Sequence, residues 1–169
     1  GKDASSEVLE GWLAAVPDES VANEKVREKL GALLENDELW PDAVKKLAPT
    51  GDAAAFPHLV LAVKTGCLRC IGKEGLVKLF SPYGAEGFRA LEDICRTVPD
   101  ADMAAAGLEA LETDTPSRAW ALAEERLSKS LAESCVPGAL VDLLARWNRD
   151  PYTSVAKRLS ELSCERSRL

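Results

Sequence analysis

The sequence predicts an all-α fold, a right-handed solenoid of antiparallel helical hairpins with a period of about 32 residues. Two stripes that share this period carry the prediction. The first is a set of apolar five-residue stretches spaced 32 positions apart: 43–47, 75–79, 107–111 and 139–143. The second is a set of aromatic residues with the same spacing: Phe56, Phe88, Trp120 and Tyr152. No stretch alternates apolar and polar residues beside turn signals, so we expect no β-sheet.

Start and stop signals divide the chain into roughly ten helices. Thr115-Pro116 and Asp150-Pro151 each combine an N-cap with proline at the first helical position. Pro57 fits only the first turn of its helix, so that helix is expected to start late. The predicted helices lie at about 5–16, 20–36, 40–48, 53–64, 68–80, 85–97, 101–112, 117–130 and 138–148, and the last begins near 151.

The first two helices are predicted to form an atypical N-terminal cap over residues 1–37. Trp12 and Leu13 lie on the apolar stripe of the first helix, and Pro17-Asp18 stops it. The second helix ends at Asn36-Asp37, and neither helix holds the aromatic register. Together with the repeats that follow, this cap predicts a single α-helical domain over residues 1–169.

The repeats occupy residues 38–165 and alternate between two helix types. Helix A of each hairpin carries the aromatic stripe, as at Phe56, Leu59 and Val63, which share one helical face. Helix B carries the leucine stripe: Leu47, Leu79, Leu111 and Leu143. Because a lone hairpin cannot bury its apolar face, each hairpin is expected to pack against its neighbours.

This pattern resembles the HEAT-like repeat superfamily, including its phycobilin-lyase-type members. The resemblance covers roughly residues 38–165 and consists of the period, the helix pairing and the two stripes. It implies an extended groove lined by the B helices. The charged residues that these helices offer are Lys45, Lys46, Lys73, Glu74, Lys78, Glu109, Glu112, Asp142 and Arg146.

The charge balance bears on the kind of partner. The formal net charge is −7, and the negative charge is concentrated in the first 120 residues. An acidic body repels phosphate backbones, so nucleic acid is not an expected partner. Another protein with a basic surface is expected instead; the alternative is that acidity only keeps the chain soluble. No apolar run reaches the roughly 18–20 residues that span a bilayer.

The five cysteines suggest two disulfides between neighbouring repeats. Cys95 pairs with Cys67 or Cys70 in this hypothesis, and Cys135 pairs with Cys164, because each pair lies near adjoining ends of successive hairpins. Such bonds would indicate a periplasmic or secreted protein. The alternative is a set of reduced thiols in a cytosolic protein, with Cys95 and Cys135 at apolar core positions.

The sequence contains no arrangement that predicts catalysis or a bound cofactor. Cys67-Leu68-Arg69-Cys70 lacks the strand-to-helix context of a redox motif. A zinc site would need more ligands, and His58 is the only histidine. The many carboxylates are typical of solvated helix surfaces. We therefore expect no catalytic residue, no metal and no cofactor.

The candidate binding residues are aromatic side chains outside the core stripe and two carboxylates on a B helix. They are Trp12, Trp40, Tyr83, Trp147, Glu109 and Glu112. Large aromatic residues are common anchors of protein interfaces. The alternative is that these rings cover the ends of hydrophobic seams.

These observations favour a non-catalytic protein-binding domain, a scaffold or adaptor, and an inhibitor or immunity protein for a basic effector is one form of it. The resemblance implies an alternative, a HEAT-like enzyme of the bilin lyase or DNA glycosylase type. The acidic balance counts against the basic cleft that a glycosylase needs. A third interpretation, a fragment of a longer repeat array, is suggested by the start at Gly1 rather than Met.

Overall fold

Helices form the regular structure of the computed structural model, which describes residues 4–68, 71–132 and 138–147. The α-helices within these ranges are α1 (Ala4–Ala15), α2 (Glu24–Leu33), α3 (Trp40–Leu47), α4 (Ala55–Lys64), α5 (Lys73–Phe80), α6 (Gly84–Thr97), α7 (Ala101–Glu112), α8 (Pro116–Ala132) and α9 (Gly138–Arg146). Short 3₁₀ helices cover Asp18–Ala22, Ala48–Thr50 and Ser81–Tyr83. No β-strand occurs among the described residues, which confirms the all-α prediction.

Local capping chemistry sets several helix boundaries. The side chain of Asn23 accepts a hydrogen bond from the backbone N–H of Lys25 at 3.0 Å, so α2 starts there and not near Ser20. The segment before it forms a 3₁₀ helix instead. Pro57 lies in the first turn of α4, as the late start predicted. The predicted tenth helix and Tyr152 lie outside the described residues.

The chain divides into two compact units. The first unit comprises Gly1–Cys70 and Gly75–Ala90, and the second comprises Ile71–Glu74 and Leu91–Leu169. The single domain over residues 1–169 stays a prediction.

In the first unit, α3 packs against α2 and α4. The 3₁₀ helix at Asp18–Ala22 is held by Lys46, whose Nζ donates to the carbonyl oxygen of Val16 at 2.8 Å and to Asp18 at 2.9 Å. Lys78 approaches the same carboxylate at 3.4 Å. The hydrogen bond from Lys46 and the charge of both lysines hold the pKa of Asp18 below its usual value.

In the second unit, α7 packs against α8 and α9. Gly107 allows a close approach in this core, because a Cβ atom there would lie 2.5 Å from Sγ of Cys95. Arg126 of α8 binds the end of α6, where its Nη1 and Nη2 donate to the carbonyl oxygens of Cys95 and Val98 at 2.6 and 2.7 Å. These bonds satisfy carbonyl groups that the helix itself leaves open.

The leucines of the predicted stripe are all buried. They are Leu47, Leu79, Leu111 and Leu143. The aromatic stripe is different, since Phe56, Phe88 and Trp120 are each half-buried. Their rings lie at the edge of the core and remain partly in contact with water.

One aromatic contact in the first unit and one in the second are 64 residues apart in sequence. Phe56 packs against Tyr83 with ring centroids 4.6 Å apart, and Trp120 packs against Trp147 at 6.5 Å. The spacing equals two of the 32-residue periods. In each unit, therefore, a half-buried ring from a predicted A helix packs against another aromatic ring of the same unit.

Candidate binding groove

A groove of about 610 Å³ lies in the second unit. Its floor consists of small residues, Ala105 and Ala106 of α7 with Gly138 and Ala139 of α9. Gly72 and Lys73, at the start of α5, complete the wall. Because no large side chain projects from this floor, the space between the helices stays open.

The sequence of α7 explains which of its faces lines the groove. Asp100 caps the helix, since its carboxylate accepts from the backbone N–H groups of Asp102 and Met103 at 3.0 and 3.1 Å. The large apolar residues after this cap, Met103, Leu108 and Leu111, are buried in the unit. The residues of the same helix that line the groove are Asp102, Ala105, Ala106 and Glu109.

Charged side chains surround the small-residue floor. Glu109 of α7 and Arg146 of α9 form an ion pair across it, with Oε1 and Nη2 2.5 Å apart. The side chain of Glu109 is 20% exposed and that of Arg146 is 62% exposed. Asp102 and Asp142 are exposed on the same two helices, and neither forms an ion pair with another described residue.

The groove brings together one predicted binding residue with charged residues of the B helices. Glu109 lines it, together with Lys73, Asp142 and Arg146 from the predicted B-helix set. Glu112 lies on the same helix, three residues after Glu109, and is half-buried. Trp147 directly follows α9, and its ring packs against Trp120.

The other predicted binding residues belong to the first unit, and each is half-buried against a neighbour. Nζ of Lys29 lies 4.0 Å above the ring centroid of Trp12. The ring of Trp40 lies 6.1 Å from that of His58. The structure thus places Trp12 and Trp40 at the edges of the packed helices, and their role in binding stays a prediction.

Tyr83 is held more firmly than the other candidates. Its hydroxyl donates to the backbone carbonyl oxygen of Asp52 at 2.9 Å, and its ring packs on Phe56. Burial, and secondarily the negative charge of Asp52, raises the pKa of Tyr83 to about 12. The phenol therefore remains neutral and keeps donating through the physiological pH range.

A smaller cavity of about 140 Å³ lies between α6 and α8 in the second unit. Glu92 on its wall is 5% exposed, the one buried charged residue within the described ranges. Nε of Arg118 binds its Oε1 at 3.0 Å, and Arg96 approaches Glu125 at 3.6 Å. The carboxylates here are balanced by guanidinium groups of the same unit, so the cavity has no excess charge to offer a ligand.

The predicted Cys67–Cys95 disulfide is not supported, since both residues are free thiols in the structure. Cys95 is buried under Gly107 in the core of the second unit, and its Sγ faces the carbonyl oxygen of Ala104 at 3.8 Å. Cys67 is exposed, with Thr65 Oγ1 3.2 Å from its Sγ. The other predicted pair, Cys135–Cys164, lies outside the described residues, as does Cys70.

The described part of the chain contains neither a metal-binding cluster nor a membrane-spanning helix. No group of three or more His, Cys, Asp or Glu side chains there is arranged to hold a metal ion. None of its helices combines the length and apolar character needed to cross a bilayer.

Comparisons with family models, with characterised proteins and with solved structures give no match to this chain. The resemblance to HEAT-like repeats stays a prediction from the period, the helix pairing and the two stripes in the sequence.

Sequence reasoning did not single out Asp102 or the groove floor. A signal was present, because Ala104-Ala105-Ala106-Gly107 is the longest run of small residues on a predicted B helix. Such a run is consistent with tight helix packing as well as with an open floor. In the structure Ala105 and Ala106 line the groove, whereas Ala104 and Gly107 are buried and are not among its lining residues.

Proposed function

We propose that this chain is a non-catalytic protein-binding domain, a scaffold or adaptor, and that its groove takes a segment of a partner protein. The observation that carries the proposal is the groove itself. Its volume of about 610 Å³ lies within the range of about 300–1,000 Å³ that is typical of ligand sites. Its small-residue floor and charged rim offer both apolar contact and polar selectivity.

The proposed architecture is a HEAT-like solenoid of about ten helices, in which the groove forms on the B-helix side. Support comes from the elements that line it: α7, α9 and the start of α5 correspond to the predicted B helices 101–112, 138–148 and 68–80. In such stacks the B helices present the binding surface, and neighbouring repeats contribute to it in turn.

An inhibitor or immunity protein for a basic effector is the form of this function that the charge favours. The net charge of −7 accelerates association with a positively charged partner and suppresses association with acidic ones.

Selection from a displayed library of random 12-residue peptides tests the proposal. The full chain is the target, and the Ala106→Trp variant, which fills the groove floor with an indole, serves for counter-selection. Ala32→Trp is the matched control, because Ala32 is exposed on α2 in the first unit. Circular dichroism verifies that both variants fold.

We expect clones that bind the wild type and Ala32→Trp equally and lose at least about tenfold in affinity for Ala106→Trp, a loss of about 1.4 kcal/mol. If every recovered clone binds Ala106→Trp as tightly as the wild type, the groove is not the binding site and the proposal fails.

A further inference from the structure

We infer that the occupant of the groove is a basic segment, a stretch of the partner's chain whose Lys or Arg side chains lie between Asp102 and Asp142. This inference rests on the proposed function and adds the chemistry of the ligand. It is carried by the charges that remain on the groove once its internal ion pair is counted.

Once the internal ion pair is set aside, the charge left on the groove lining is negative. Glu109 and Arg146 neutralise each other across the groove. The remaining charged groups of the lining are two carboxylates, Asp102 and Asp142, and one ammonium group, Lys73. None of these three forms an ion pair among the described residues. A cation placed between the two carboxylates gains from both, whereas an anion there is repelled by both.

The shape of the groove suits long cationic side chains. Ala105, Ala106 and Ala139 give an apolar floor without projecting groups. Lys and Arg carry three- or four-carbon stems that pack along apolar surface while their charged ends reach toward polar groups. The two exposed aspartates lie at the rim, where such ends would arrive.

Two acidic positions of the groove carry lysine two periods earlier, whereas the counterpart of Asp102 is Glu38 and is also acidic. Lys45 precedes Glu109 by 64 positions, and Lys78 precedes Asp142 by the same number. Both lysines already have partners, since Lys45 binds Asp42 at 2.7 Å and Lys78 approaches Asp18 at 3.4 Å. At these two positions the first unit carries paired lysines, whereas the second carries Glu109, which binds Arg146, and Asp142, which has no ion-pair partner among the described residues.

The test compares the charge of selected peptides and then reverses the charge of the groove. The 12-residue library contains basic and acidic residues at equal frequency and is selected on the full chain at about 0.15 M ionic strength, which screens exposed charges beyond about 8 Å. Clones that lose binding to Ala106→Trp define the groove-dependent pool. We expect this pool to be enriched in Lys and Arg and depleted in Asp and Glu.

Charge reversal locates the attraction. A synthetic peptide from the pool should bind the double variant Asp102→Lys, Asp142→Lys at least about tenfold more weakly than the wild type, since two attractions become repulsions. The control is Glu24→Lys, Glu28→Lys, which changes the net charge equally. It also matches helix position, because Glu24 and Asp102 are both in the first turn of a helix.

The outcomes separate the inference from the proposed function. A groove-dependent pool of neutral or acidic peptides overturns the basic occupant and leaves the protein-binding groove intact. Equal weakening by the control variant also overturns it, because the attraction would then belong to the net charge and not to the groove. Absence of any groove-dependent clone overturns the proposed function, and the inference with it.

Discussion

At the scale of single residues, the second unit depends on one close approach. Gly107 lies against both the thiol of Cys95 and the side chain of Leu91, at a point where a side chain of its own would not fit. Both neighbours are buried, so neither can move into solvent. The same constraint occurs in the first unit, where a Cβ atom at Gly87 would overlap the backbone carbonyl oxygen of Phe80.

Gly107→Ala should therefore destabilise the protein, by about 1–3 kcal/mol, because the added methyl group overpacks the core. Urea unfolding monitored by circular dichroism measures the change. Gly31→Ala is the matched control: Gly31 lies inside α2 with no atom within 4 Å of an added Cβ. That control should gain about 0.5–1 kcal/mol from the better helix propensity of alanine.

A second-site change identifies the cause. Cys95→Ala removes the sulfur atom that meets the new methyl group, so it should recover part of the stability lost in Gly107→Ala. Equal stability of Gly107→Ala with and without Cys95→Ala would contradict the close contact.

Burial also governs the chemistry of Cys95. It raises the pKa of this thiol from 9.0 to about 12. Because the folded-state pKa lies above that of the unfolded chain, the neutral thiol's contribution to stability is complete below about pH 9 and is lost as the pH rises toward 12. The stability of the wild type should consequently fall more steeply over this window than that of Cys95→Ala.

Alkylation provides a simpler measurement of the same property. Iodoacetamide at neutral pH should label Cys67, which is exposed, and leave Cys95 unlabelled until urea unfolds the chain. Peptide mapping by mass spectrometry assigns each site. Labelling of Cys95 in the folded protein at the rate of Cys67 would contradict its burial.

At the scale of helices, the sequence predicted which segments are helical better than it predicted where the helices begin and end or how they pack. The cap at Asp100 and the proline in α4 are local signals, so the starts of these helices could be anticipated. The 3₁₀ helix at Asp18–Ala22 could not, because it is held by Lys46, 28 residues away from Asp18 in sequence. Leucine burial follows from periodicity alone, whereas the groove requires knowledge of which small residues face away from the core.

Arg126 is a second long-range contact that links two helices. It donates two short, charge-assisted hydrogen bonds to the carbonyl oxygens of Cys95, in the last turn of α6, and of Val98, which follows the helix. Arg126→Ala should cost about 1.5–3 kcal/mol in urea unfolding, because these bonds involve a charged donor. Arg126→Lys should restore part of this, since an ammonium group supplies the charge without the planar pair of donors.

Lys129→Ala is the matched control for Arg126, because Lys129 is exposed on the same helix. It should change stability by no more than about 0.5 kcal/mol. If Arg126→Ala and Lys129→Ala have equal effects, the end of α6 does not depend on the guanidinium group.

At the scale of the whole molecule, the 64-residue spacing relates features of the two units. The Phe56–Tyr83 and Trp120–Trp147 contacts recur at this spacing, and the leucine stripe is buried in both. The charges recur only in part: lysines in the first unit stand where Glu109 and Asp142 stand in the second, whereas the counterpart of Asp102 is Glu38. A shared scaffold with one differentiated surface is consistent with a binding groove in the second unit.

The most direct measurement of that groove is amide chemical-shift mapping of the full chain during titration with the tightest peptide selected on the wild type. We predict that the largest shifts occur at Asp102, Ala105, Ala106 and Asp142, and that Ala106→Trp abolishes them. Shifts that concentrate instead around Trp12 and Trp40 of the first unit, and that persist in Ala106→Trp, would contradict the groove as the binding site.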